Sequence, residues 1–155
     1  MSGVGTVILA ALAGLNPWVV LVIVVGLATF TRHAPLNAPY SQVANTLGLV
    51  AFGAVLGIEV VVSKLRAAAR FVEPVNVPAA AVTGALLPLA LMPAGEDVTW
   101  LVLPGLVVAL AVRWGRYRFA RQLDRWLRPM GHIAAGIASD LLAGTLTAAV
   151  FAIKP

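Results

Sequence analysis

Cysteine is absent and charge is scarce: only 11% of the 155 residues are Asp, Glu, Lys or Arg. Without cysteine there is no disulfide, no thiolate metal site and no thiol nucleophile, and nothing about the redox state of the compartment follows. The two histidines stand far apart, so no metal site is expected. A phosphate-binding glycine loop, a Ser/His/Asp set and a zinc motif are all missing. No catalytic residue, no cofactor and no enzyme activity is therefore expected. The shortage of charge also excludes a soluble domain. With 61% apolar residues and a mean hydropathy of +0.95, a water-soluble fold would leave far more apolar surface exposed than water tolerates.

The sequence is instead dominated by long apolar runs: Val4 to Phe30, Val43 to Val62, Val77 to Met92 and Gly131 to Ile153. A hydrocarbon core of about 30 Å demands helices of about these lengths. The expected fold is an all-α, polytopic transmembrane bundle forming a single domain over residues 1–155. The first thirty residues lack a basic leader segment and are read as a retained span, and no extramembrane domain is expected.

The basic residues set a topology. Lys64, Arg66 and Arg70 form one cluster, and Arg113, Arg116, Arg118, Arg121, Arg125 and Arg128 a second. By the positive-inside rule both belong in the cytoplasm. The sequence pI near 10.8 would suit a nucleic-acid binder, but these residues flank apolar spans, so membrane orientation explains them and no nucleic acid is expected. Two spans fit between the clusters, Val77 to Met92 and Val98 to Val112, divided at Pro93-Ala94-Gly95-Glu96-Asp97. About five spans follow, with the N-terminus inside and the C-terminus outside a bacterial plasma membrane.

Within the first run, Gly14-Leu15-Asn16-Pro17 interrupts the helix, because proline removes a donor and pushes Asn16 out of the α region. Either the span is kinked, with Asn16 capping Pro17 to Phe30, or residues 4–30 form a re-entrant pair of half-helices lining a cavity. Trp114 to Arg128 segregates Phe119, Leu123 and Trp126 from Arg118, Arg121 and Arg125. This predicts a separate amphipathic helix at the membrane interface, with Arg116, Arg118, Arg121 and Arg125 on anionic lipid headgroups. Tryptophans 100, 114 and 126 fall at headgroup level.

Sliding the chain by 55 positions lays Arg70 on Arg125, Pro74 on Pro129, Ala79-Ala80 on Ala134-Ala135 and Leu86-Leu87 on Leu141-Leu142. This suggests a parallel internal repeat, units 43–92 and 98–153, each with a proline at its turn. It places Glu59 and Arg113 at similar depth, where they could pair, and Glu73 opposite Arg128 as a second candidate pair.

Some residues resemble those of a family of small bacterial membrane proteins, the DUF4126 family. They are Gly14-Leu15-Asn16 in the first helix, Glu59 followed by Ser63-Lys64, Glu73-Pro74 before a small-residue helix, and Ala138-Ser139-Asp140 in the last. The family pattern has Asp and Arg where this chain has Ser63 and Glu73. The resemblance implies a helical membrane protein and no reaction.

Asp140 lies on the order of 16 Å into the last span and is the deepest charge; an intramembrane acid is a functional candidate by default. Gly53 with Gly57, and Gly136 with Ala143 and Gly144, suit close helix packing. Two functions fit: a small transporter or channel for an ion or small solute, its pathway near Asn16, Glu59 and Asp140, or an accessory subunit of a larger membrane complex. Membrane lipids, and a homo-oligomeric or larger assembly, are the expected partners.

Overall fold

A computed structural model describes residues 3–31, 36–64, 69–93, 95, 97–127 and 130–153, with the backbone alone for residues 64, 69–71 and 132. Among these the regular elements are all helical: α1 Gly3–Leu15, α2 Pro17–Phe30, α3 Thr46–Lys64, α4 Ala69–Leu91, α5 Thr99–Trp126 and α6 Gly131–Ala152, with a short 3-10 turn at Tyr40–Val43. Four are long and apolar enough to cross a membrane, within Thr46–Ser63, Val72–Leu91, Thr99–Trp126 and Ile133–Ala152. The chain is a helical membrane bundle.

The fifth expected span is the one divided at Asn16. Asn16 adopts an extended backbone (φ −151°, ψ 106°), and its Oδ1 accepts from the backbone N–H of Trp18 and Val19. Proline supplies the first residue of α2 and needs no donor there. The direction of the two halves follows from their neighbours. A Cβ on Gly3 would lie 3.5 Å from Leu101 and one on Gly14 2.4 Å from the Ala109 carbonyl, so α1 runs parallel to α5. Asn16 bonds Glu59 while Gly26 sits beside Leu49, so α2 runs back, antiparallel to α3. Both outer ends meet the same end of the bundle: Val7 packs on Met92, Val98 and Leu101, and Asn37 donates its backbone N–H to the Ala90 carbonyl. Residues 3–30 therefore dip to Asn16 and return, which is the re-entrant alternative.

This geometry places the start of α1 relative to the other helices. Gly3 lies at the end of the bundle that carries the α4–α5 turn, opposite the basic clusters, because a chain that turns back at Asn16 begins and ends on one side. The separate interfacial helix is corrected: span and basic segment form one 28-residue helix, α5, since nothing between Val112 and Trp114 breaks the helical ladder. Arg118, Arg121, Arg125 and Trp126 remain exposed along it. Finally, α4 begins at Ala69, so Pro74 stands inside a helix rather than at a turn.

Lipid solvates apolar side chains as well as a protein core does, so helices in it associate by close packing and polar contacts rather than by hydrophobic burial. The closest approach joins α4 to α5, where a Cβ on Gly105 would come 2.2 Å from the Gly84 carbonyl oxygen. Gly14 gives α1 the same access to α5. Gly53 and Gly57 do not serve this role among the described residues: a Cβ on either would meet nothing within 4 Å. Leu9, Leu12, Ala13, Val20, Val24, Leu87 and Leu91 fill the wedge between the two half-helices and α4.

Candidate functional site

The point of the wedge is polar. Asn16 is fully buried, and its Nδ2 donates to Glu59 Oε2 at 3.2 Å and to Asp140 Oδ1 at 2.9 Å. The three residues expected to line a pathway, drawn from the helix break, α3 and α6, thus share one amide group. Glu59 is 6% exposed, and its other oxygen, Oε1, accepts from Asn76 Nδ2 at 3.0 Å. The carbonyl of Asn76 in turn accepts from Trp18 Nε1 at 2.8 Å. Every polar atom of the Asn16 side chain is used: Nδ2 by two acids, Oδ1 by two backbone donors. An extended backbone at Asn16 is what lets its Oδ1 turn onto the first N–H groups of α2, as an N-cap residue does.

Beside this node lies a charged pair. Arg113, 2% exposed, bonds Glu73 in the bidentate manner, Nε to Oε1 at 2.8 Å and Nη2 to Oε2 at 2.5 Å. Its Nη1 donates to the Leu15 carbonyl at 3.3 Å, satisfying an acceptor that the helix break would otherwise orphan. The expected Glu59–Arg113 pair is therefore corrected. Glu59 is held by two amides, while Glu73, a half-buried residue on the helix locked to α5, takes the guanidinium. The other expected partner of Glu73, Arg128, lies outside the described residues.

From this floor a cavity of about 950 Å³ opens toward the basic end, between α3, α4, α5 and α6. Glu59, Asn76 and Arg113 form its deep part; Arg116, Tyr117, Arg121 and Asp124 line its outer part. Arg121 stacks over the Tyr117 ring at 4.6 Å and Arg118 over Trp114 at 4.0 Å, so two exposed cations rest on aromatic faces of their own helix. Arg116 is half-buried and within electrostatic reach of Glu73, Asp140 and Glu59. Among the described residues no group of three or more His, Cys, Asp or Glu is placed to hold a metal ion.

Sequence reasoning missed Asn76 and Trp18. The signal for Asn76 was present, a lone amide between Pro74 and Pro78 in an otherwise apolar helix. Trp18 carried none, since its value lies in a neighbour 58 positions away. Thr147 was also missed: fully buried on α6, its hydroxyl is without a partner among the described residues, two turns beyond Asp140 on the same helix face.

A family model described as "Domain of unknown function (DUF4126)" matches residues 4–154, essentially the whole chain, and the chain belongs to that family. No curated protein and no solved structure matches it.

Proposed function

We propose that this DUF4126 protein is a small membrane transporter that passes a proton or small cation through the Asn16, Glu59 and Asp140 node. The observation that carries this reading is the single buried amide donating to two carboxylates from different helices at the tip of a re-entrant pair. Broken helices at membrane depth are tolerated where the freed backbone lines a site, and intramembrane acids recur in proton and ion pathways. Glu59 and Asp140 present oxygens on either side of the Asn16 amide, so a proton or cation held by one can be handed to the other while Asn16 keeps both in place. The cavity lets water and solute reach Glu59 from the basic end. The positive-inside rule puts that end in the cytoplasm and the N-terminus outside, with the plasma membrane as the expected location.

A second reading, an accessory or oligomeric subunit, draws on α3. Only 6% of its apolar window is buried, and Leu47, Val50, Ile58 and Val61 face outward.

Reconstitution decides between them. Protein in liposomes carrying a pH or monovalent-cation gradient should collapse that gradient, and Asp140→Asn or Glu59→Gln should cut the rate at least tenfold with helicity and melting temperature kept. Variants as active as the wild type would make the node structural. A well-folded wild type that collapses neither gradient would favour the subunit reading.

A further inference from the structure

The cavity is far larger than a cation pathway needs. A water molecule takes about 30 Å³ of liquid, whereas cavities of roughly 300 to 1,000 Å³ hold organic ligands. At about 950 Å³ this one lies at the upper end of that range, and its walls are mostly hydrocarbon, from Val72, Val77, Leu110, Trp114 and Ala135. Its polar groups are unequally committed. Glu59 is bonded by two amides and Glu73 by Arg113, and Asp124 is not free either. Arg116, by contrast, lines the cavity half-buried with no hydrogen bond or salt bridge among the described residues, and Arg121 presents a second guanidinium at the outer part. A guanidinium fork matches a phosphate bidentately. The exposed Trp114 and Trp126 on the same helix put Arg116 and Arg121 at the level of lipid headgroups.

We infer that this cavity binds a phosphate-bearing amphiphile, the phosphate on Arg116 and Arg121 and the hydrocarbon against the apolar walls. The inference goes beyond ion passage at the node and does not depend on it. The phosphate chemistry is shared by a lipid headgroup and a soluble phosphate ester, and the hydrocarbon walls favour the lipid.

Purified full-length protein in neutral detergent can be titrated with phosphatidic acid, with glycerol 3-phosphate and with phosphatidylcholine, binding being read by native mass spectrometry and by melting temperature. Phosphatidic acid should bind saturably. Arg116→Gln should weaken it at least tenfold and Arg116→Lys less, while Arg125→Gln, exposed on α5 outside the cavity and in reach only of surrounding headgroups, should weaken it far less than Arg116→Gln. Should Arg116→Gln not fold, Arg121→Gln should weaken binding in the same sense. Glycerol 3-phosphate binding as tightly as phosphatidic acid, with the same dependence on Arg116, would assign the site to a soluble ester. Equal losses from Arg116→Gln and Arg125→Gln would mean only general attraction to a basic surface and would overturn the site, as would absence of binding by every probe. None of these readouts requires transport, so this site and the node can fail separately.

Discussion

On one side of the molecule α1, α4 and α5 are locked backbone to backbone through Gly14, Gly84 and Gly105; on the other, α3 rests lightly against α2, α4 and α6. Of the apolar window of α4, 44% is buried, against 6% for α3, whose one buried side chain among the described residues is an acid, Glu59. The two regions divide the polar groups accordingly. The locked side holds Arg113 and Glu73, full charges whose pairing needs fixed geometry. The loose side contributes one carboxylate, tied to Asn16 and Asn76 by single hydrogen bonds that a small movement of α3 would exchange. The node is the seam between a tightly and a loosely packed half.

The strongest way to break this contrast is to add volume on each side. Gly105→Leu drives a side chain into the Gly84 backbone and should cost about 3 kcal/mol or more, the top of the range for overpacking. Gly53→Ala and Gly57→Ala should instead be neutral or stabilise by up to about 1 kcal/mol from helix propensity. Melting in detergent compares them, and equal losses at Gly105 and Gly57 would dissolve the distinction. Next in size, Glu73→Ala leaves Arg113 buried without its counter-ion. We expect a loss of about 2 to 3 kcal/mol, less than a fully buried pair because Glu73 is 35% exposed. The double variant Glu73→Leu with Arg113→Met should recover part of it, which a double-mutant cycle measures.

A smaller effect of opposite sign is expected on α6. Thr147→Val removes a buried hydroxyl without a partner among the described residues and should stabilise by about 1 kcal/mol. If liposome flux falls at the same time, the hydroxyl is a station of the path; unchanged flux would confine it to packing.

The smallest effect belongs to the exposed α4–α5 turn. There the hydroxyl of Thr99, and then its backbone N–H, donate to Asp97 and hold its pKa below the ordinary 3.8. A depressed carboxylate contributes stability that is complete above pH 3.8 and fades as pH falls through the folded value. Asp97→Ala should remove that dependence, with its small loss of stability present at neutral pH and vanishing in acid. A wild type whose melting temperature shows no such decline would remove the role given to the Thr99 bonds.

Much of the fold was legible in the residues. Apolar length identified the spans, and Asn16-Pro17 marked the break, because both signals are local. What the break did was not legible: a kink and a return look alike until Gly3 is found beside Leu101. The α5 segment misled for a related reason, since an amphipathic pattern reports which face meets water and not whether the helix has ended. Asn16, Glu59 and Asp140 were found as isolated polar residues in apolar surroundings, a cost that composition alone reveals. Their joining, and the choice of Glu73 over Glu59 for Arg113, depended on how α3 and α4 pack, which no periodicity records.

The break at Asn16 has an electrical consequence. Two half-helices meet there end to end, so the negative pole of the α1 dipole and the positive pole of the α2 dipole, each about half an elementary charge, are separated by one residue. The side chains sort themselves accordingly: the Arg113 guanidinium caps the α1 carbonyl end at Leu15, while Glu59 and Asp140 gather around the residue that opens α2. A continuous helix over residues 3–30 would spread its poles to the two ends of the membrane and leave nothing at Asn16. One extended residue thus builds a field that changes sign within a few ångströms at the centre of the bundle, and a mobile charge passing it would be repelled on one side and held on the other.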